Sequence, residues 1–133
     1  MVPMDPMDSG YVQRPDYRVD LLVRRNRFEA RAGEVVLASS DRCILVDEQD
    51  HGLVVYFPRD DVRLEELAPS EHTTRCPYKG NASHWTGPGG TDVVAWTYDD
   101  PYPQVAQLAG YVAFYQDRVT VSVGVAHPAV SGR

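Results

Sequence analysis

The apolar residues of this chain come in short runs, and most of the runs end at glycine, proline or charged residues. Runs of this length that are rich in valine, leucine and tyrosine predict β-strands separated by turns. We expect one hairpin over residues 27–38, with Gly33 in its turn, and a second over residues 43–57. A third hairpin is expected from residues 111–115 and 118–123. The sequence therefore predicts a mainly β fold, built as a compact antiparallel domain.

We expect the folded domain to span residues 17–125. Residues 1–16 and 126–133 have the composition of disordered tails, and the first of them is rich in proline, methionine and aspartate. One short helix is expected at residues 104–109, with the aspartates at 99–100 as its N-terminal cap. The prediction is thus a single β domain with one short helix between two tails.

The charge and the apolar pattern limit the expected partners. The chain is 133 residues long and has a net charge of −6, which repels nucleic acids and anionic membranes, so we expect neither as a partner. A basic run at residues 24–31 contains four arginines, but its charged and apolar residues alternate as in a solvent-facing strand. No apolar run has the length of a membrane span, and the first residues do not resemble a secretory signal. We therefore expect a cytoplasmic protein in which Cys43 and Cys76 are free thiols.

Residues 73–85 (TTRCPYKGNASHW) hold the greatest variety of reactive side chains in the sequence. Their apolar positions follow neither the strand period nor the helix period, and Pro77 and Gly80 predict a shaped turn. In such a turn, Lys79 would favour the thiolate form of Cys76, which is the nucleophilic form of a cysteine. This segment is therefore the expected location of a functional site.

Two histidines extend the chemistry open to this segment. His72 or His84 could act as the base for a nucleophilic Cys76. The same three side chains are possible metal ligands, but structural zinc sites usually pair ligands two to four residues apart, and this spacing has no such pairs. We expect neither a metal nor a cofactor.

Aromatic residues and one arginine complete the candidate site. The aromatic residues either wall a small-molecule pocket or belong to the core of the β domain; they are Tyr56, Tyr78, Trp85, Trp96 and Tyr98. Arg59 could hold a ligand anion through a bidentate contact. More often such an arginine pairs with neighbouring carboxylates, here Asp60 and Asp61, and stabilises the turn.

Four runs of the sequence resemble a known family. They are YFPRDDV at 56–62, TxCPYKGxAxxW at 74–85, AWxY at 95–98 and AGYVAFYxDRV at 109–119. Over residues 19–123 the chain resembles the bacterial and fungal domain of unknown function 427. The resemblance implies a β-rich fold of the Mss4-like, or β-tent, group. His84 stands where this family usually has tyrosine or phenylalanine, which would put an additional titratable group beside Trp85.

Two functions remain open from the sequence. The first is a small-molecule pocket, with or without catalysis, that takes a small polar, carbonyl or anionic ligand. Its expected residues are Cys76, Lys79 and His84 as catalytic groups and Arg59, Tyr78, Trp85, Trp96 and Tyr98 as ligand-binding groups. The second is a non-catalytic interaction or structural module. In that case CPYKG is an architectural turn, in which Tyr78 and Lys79 brace neighbouring strands.

Overall fold

Ten antiparallel strands form two sheets in the computed structural model, which describes residues 8–124. The strands are β1 (Val19–Val23), β2 (Phe28–Ala32), β3 (Val35–Ser40), β4 (Ile44–Glu48), β5 (Leu53–Phe57), β6 (Ala68–Cys76), β7 (Gly80–Thr86), β8 (Val93–Thr97), β9 (Val112–Phe114) and β10 (Thr120–Val123). Short 3₁₀ segments lie at Gly10–Val12, Arg59–Asp61, Leu64–Glu66 and Pro103–Leu108. The predicted mainly β, antiparallel fold is confirmed. Within residues 8–124, no helix is both long and apolar enough to cross a membrane.

The larger sheet has seven strands in the order β1-β4-β5-β9-β8-β7-β6, and the smaller sheet has the order β10-β2-β3. The first two predicted hairpins are confirmed as β2–β3 and β4–β5. Gly33 has a φ of +60° in the first turn, a conformation that glycine adopts at little cost.

The third predicted hairpin is wrong. β9 pairs with β5 and β8 in the larger sheet, whereas β10 pairs with β2 in the smaller sheet. Between them, the backbone amides of Arg118 and Val119 donate to the carbonyl oxygen of Tyr115, and this turn redirects the chain to the other sheet. The three residues of β9 are all buried, because the strand lies in the middle of the larger sheet.

The short helix is a 3₁₀ segment, Pro103–Leu108, whose Val105 and Leu108 side chains are buried. Tyr102 occupies the N-cap position, and no side chain caps this end. The expected aspartate cap is therefore wrong, because the Asp99 carboxylate pairs with Arg59 instead.

The larger sheet is strongly curved. Glu48 on β4 contacts Lys79 in the turn between β6 and β7, although at least four strand spacings, about 20 Å in a flat sheet, separate their strands. The face that carries these two side chains is therefore concave, and we call it the inner face. The opposite face, called the outer face, packs on the smaller sheet.

The two faces take alternate residues of the same strands. The buried residues of the inner face and of the 3₁₀ segment beside it are Ile44, Val46, Tyr56, Ala82, Tyr98, Val105, Leu108 and Ala113. Outer-face residues pack against β2, β3 and β10, and they include Val55, Phe57, Trp85, Ala95, Val112 and Phe114. The main hydrophobic core lies between the two sheets.

Residues 8–16 differ from the expected disordered tail, because they pack on the β6–β7 turn. The amide of Gly10 donates to the carbonyl oxygen of Pro77 at 2.7 Å, and the side chain of Tyr11 is buried. A Cβ atom at position 10 would lie 2.7 Å from the Tyr78 ring, so only glycine fits there without a shift. The rest of that tail, and all of the expected tail at 126–133, lie outside the described residues.

Candidate functional site

The segment at residues 73–85 folds as a β-hairpin. Cys76 at the end of β6 lies opposite Gly80 at the start of β7, and only Pro77, Tyr78 and Lys79 form the turn between them. Gly80 has a φ of +122°, which strains any other residue. The expected shaped turn is thus confined to three residues, and the rest of the segment belongs to paired strands.

A cavity of about 230 Å³ opens on the inner face of the larger sheet. Four of the eight residues expected as catalytic or ligand-binding groups line it: Cys76, Lys79, Trp96 and Tyr98. The lining residues from the β4–β5 hairpin are Val46, Glu48, His51, Gly52, Val54 and Tyr56. The cavity therefore combines a thiol, a buried ion pair, an imidazole and three aromatic rings.

Glu48 is the centre of the charged side of this cavity. Its carboxylate accepts hydrogen bonds from the Lys79 ammonium and, at 2.5 Å, from the Tyr17 hydroxyl. The His51 Nε2 atom lies 3.3 Å from the same carboxylate. Burial by itself would raise the pKa of Glu48, but the hydrogen bonds from Lys79 and Tyr17 outweigh burial and hold this pKa below its usual value. Glu48 is therefore ionised at neutral pH although it is buried.

The aromatic side of the cavity is held by hydrogen bonds. The indole Nε1–H of Trp96 donates to the Tyr56 hydroxyl at 3.2 Å, and the two rings are perpendicular with centroids 6.1 Å apart. Burial is the main cause that raises the pKa of Tyr98, and the neighbouring Tyr56 and Cys76 raise it further. Burial likewise raises the pKa of Tyr56. Both phenols are therefore neutral groups that can donate hydrogen bonds inside the cavity.

Tyr78 braces the turn and does not line the cavity. Its ring stacks on Tyr17 with centroids 3.6 Å apart, and Tyr11 contacts it edge-on at 5.2 Å. Tyr17 in turn donates to Glu48, so the N-terminal segment, the turn and β4 form one connected group. The Tyr78 ring therefore contacts the N-terminal segment and not the cavity.

His84 is buried on the inner face but lies outside the cavity lining. Its Nδ1 atom is 3.2 Å from the carbonyl oxygen of His72, which can only accept, so neutral His84 carries its proton on Nδ1. The Nε2 atom lies 3.3 Å from the Tyr115 hydroxyl and 3.4 Å from that of Thr74. Burial lowers the pKa of His84, against an opposing effect of the His72 carbonyl. The ring of Tyr115 also packs on Trp96, with centroids 4.6 Å apart. His84 lies directly opposite Trp96 in the β7–β8 pairing, so it is next to the cavity wall without lining the cavity.

Trp85 and Arg59 lie away from the cavity. Trp85 belongs to the outer-face core, because it follows His84 directly in β7 and adjacent strand residues point to opposite faces. The Arg59 guanidinium lies 5.2 Å from the Trp85 ring centroid and 3.2 Å from the Asp99 carboxylate. Arg59 therefore pairs with Asp99 and not with its neighbours Asp60 and Asp61, and the Asp61 carboxylate pairs with Ser40 and Arg42 instead.

Comparison with known proteins supplies the family. The model of a family described as "Domain of unknown function (DUF427)" matches residues 20–124. The chain belongs to this family. The resemblance carried by the four sequence runs is thereby confirmed, and no curated protein matches the chain.

The cysteines of this DUF427 domain differ in environment. Cys76 is half-buried and lines the cavity, whereas Cys43 is fully buried. Burial raises the pKa of Cys43 to about 12, so its thiol stays protonated and unreactive at neutral pH. Within residues 8–124, no group of three or more histidine, cysteine or carboxylate side chains is placed to hold a metal ion.

Glu48 and His51 line the cavity, but the sequence does not predict them as cavity residues. Glu48 follows Val46 on the alternating positions of β4, and this alternation places it on the buried inner face. The sequence signal for Glu48 is a charged residue at the next buried position of an alternating strand. Such a residue requires a partner in the interior. The partner, Lys79, comes from the hairpin at the other end of the curved sheet.

Proposed function

We propose that this DUF427 domain binds a small molecule in the inner-face cavity. Cys76 and Lys79 contact a carbonyl or singly charged anionic group, and Trp96, Tyr98 and Tyr56 cover the apolar part. The supporting observation is that residues from two separate hairpins and from β8 line one cavity, and that this lining combines apolar and polar side chains. A few polar groups in a mainly apolar concavity are typical of small-molecule sites.

The charge balance of the cavity favours this ligand class. An ammonium group has three N–H donors, and Lys79 uses one of them on Glu48. The remaining donors can reach a ligand oxygen. Because Glu48 already compensates the charge of Lys79, a neutral carbonyl or a single negative charge is favoured over a multiply charged anion.

The covalent part of the proposal is reversible thiol addition. The Cys76 sulfur forms a bond to the carbonyl carbon, the C=O π bond becomes a C–O bond, and the thiol proton passes to that oxygen. The product is a hemithioacetal, which needs no oxidant, reductant or second substrate. The Lys79 ammonium stabilises the negative charge that develops on the oxygen during addition.

We place this function in the cytoplasm and assign the two-sheet arrangement to the Mss4-like, or β-tent, group. Both cysteines of the described residues are free, and a free thiol in a binding cavity is maintained in a reducing compartment. The small sheet on the outer face leaves the inner face of the larger sheet open for a ligand.

Alkylation by iodoacetamide, followed by peptide mass spectrometry, tests this proposal. We expect modification of Cys76 in the folded protein and protection of Cys43. Benzaldehyde and pyruvate serve as the carbonyl probes, and each should slow the modification of Cys76. The Cys43→Ala variant is the matched control and should retain both the labelling and the protection. An unreactive Cys76, or labelling that no carbonyl probe slows, contradicts the proposal.

A structural module is the second candidate, because Tyr78 and Lys79 brace the turn against Tyr17 and Glu48. In this case the carbonyl probes do not slow the alkylation of Cys76 in the unaltered protein or in Tyr78→Ala. The Tyr78→Ala variant only has a lower melting temperature. Under the binding proposal, the same variant is less stable but keeps the protection. The two functions are therefore distinguished by whether a carbonyl probe slows the alkylation of Cys76, and not by the melting temperature.

A further inference from the structure

A second concave region lies at the end of β1, and it shares no lining residue with the inner-face cavity. This cleft has a volume of about 500 Å³. Arginines 24, 25 and 42 line it together with Val23, Asp41 and Tyr111. The basic run of the sequence thus divides in two: its last part is the exposed side of β2, where Arg31 pairs with Glu29, and its first part faces this cleft.

Two of the cleft arginines are not neutralised. Within residues 8–124, neither Arg24 nor Arg25 makes an ion pair, and the Arg24 guanidinium donates only to the carbonyl oxygen of Val23, at 3.1 Å. Arg42 shares the Asp61 carboxylate with Ser40. The Asp41 carboxylate lies 3.7 Å from the guanidinium of Arg27, outside the cleft. Arg24 and Arg25 therefore keep donors and positive charge for a ligand.

We propose that this cleft binds a small organic phosphate monoester. Arg24 and Arg25 hold the phosphate, Arg42 adds a third guanidinium, and Val23 and Tyr111 contact the organic group. Val23 supports this ligand class because its side chain is largely exposed beside the arginines, although it is apolar. An inorganic anion would leave that surface uncovered.

The choice of phosphate follows from charge and geometry. Guanidinium groups bind phosphate oxygens through paired hydrogen bonds, and a dianion with three terminal oxygens can occupy several guanidinium groups at once. A carboxylate has one negative charge and two oxygens, so it satisfies fewer of them. A long polyanion is disfavoured, because the net charge of −6 repels it along its whole length while a small ligand contacts only the basic cleft.

Titration calorimetry of the full chain with phenyl phosphate tests the inference. The Arg24→Gln/Arg25→Gln double variant should bind phenyl phosphate roughly tenfold more weakly or worse, since it loses two charge-assisted contacts. Arg63→Gln is the matched control, because Arg63 is exposed and lies outside the cleft, and it should bind like the unaltered protein. Added salt should weaken binding, and the double variant should keep the reactivity of Cys76.

Inorganic phosphate, phenylacetate and a single-stranded DNA oligonucleotide are the comparison ligands. The inference requires that phenyl phosphate bind more tightly than all three. Equal binding of phenylacetate would mean a general anion cleft, and tighter binding of the oligonucleotide would mean a polyanion surface. Either result overturns the inference. It is also overturned if Arg63→Gln loses as much affinity for phenyl phosphate as the double variant does, or if phenyl phosphate shows no measurable binding.

Discussion

The inner and outer faces of the larger sheet use the same strands for different purposes. On the outer face, Phe57 and Trp85 are buried against the smaller sheet in an apolar core. On the inner face, their sequence neighbours Tyr56 and His84 take part in hydrogen bonds, and Glu48 forms a buried ion pair. Adjacent residues in one strand therefore differ in role, because the strand period directs one to the core and the next to the candidate site.

The two faces should also respond differently to substitution. The outer face contributes stability through apolar burial, which depends on the buried surface area and not on pH. The inner face contains charges whose burial is tolerated only because they are paired. Substitutions of single residues can therefore separate the two kinds of contribution.

The largest effect is expected from Phe57→Ala. Phe57 is fully buried on the outer face, and its ring contacts Phe114 edge-on with centroids 5.6 Å apart. Removal of the ring should lower the free energy of unfolding by about 3–5 kcal/mol, because it leaves a cavity in the core. The inner-face comparison is Tyr56→Phe, which removes one hydroxyl and should cost about 1 kcal/mol. Urea denaturation measures both, and equal losses would contradict the division between the faces.

The next effect is expected from Lys79→Met on the inner face. The side chains of Lys79 and Glu48 are each only 7% exposed, so the variant leaves a buried carboxylate without its ammonium partner. The free energy of unfolding should fall by about 3 kcal/mol, the cost typical of a broken buried ion pair.

The Glu48→Gln/Lys79→Met double variant is the control for this change. It removes both charges, and we expect it to regain most of the lost stability in the same urea experiment. A double variant that is less stable than Lys79→Met would contradict the view that the unpaired charge causes the loss.

The parts of the fold that were predictable depend on local signals. Gly33 and the polar turn before Leu53 determine hairpins between strands that are neighbours in the chain. The separation of β9 from β10 is different, because β10 pairs with β2, a strand about ninety positions earlier in the sequence. A run of apolar residues indicates a strand and carries no information about which distant edge that strand will join.

The candidate site shows the same limit. The sequence indicates that Cys76 and Lys79 lie near each other because they are close together within an unusual turn, and both line the cavity. The sequence places Trp85 in the same site, but Trp85 is on the other face, because the turn is the end of a hairpin whose strand residues alternate between faces. No local sequence signal links Glu48 to this turn, because only the curvature of the whole sheet brings β4 to the β6–β7 turn.

The smallest expected effects concern pH, and they too should come from the inner face. Burial lowers the pKa of His84 below its ordinary value of about 6.5, so the unfolded chain binds a proton at this residue more readily than the folded protein. The contribution of neutral His84 to the free energy of unfolding is therefore fully present above pH 6.5. It declines as the pH falls from there through the lowered pKa. The pKa of Glu48 is also lowered, so its contribution declines in the same direction but only below the ordinary glutamate value of about 4.3.

Variants at these two residues separate the two pH ranges. In urea denaturation at a series of pH values, His84→Phe should flatten the decline that begins near pH 6.5 and leave the more acidic decline intact. Glu48→Gln should flatten only the more acidic decline. The outer face supplies the control, because Trp85→Phe replaces a neighbour of His84 that does not titrate and should lower stability equally at every pH. If Trp85→Phe changed the slope as much as His84→Phe does, the pH dependence could not be assigned to the inner face.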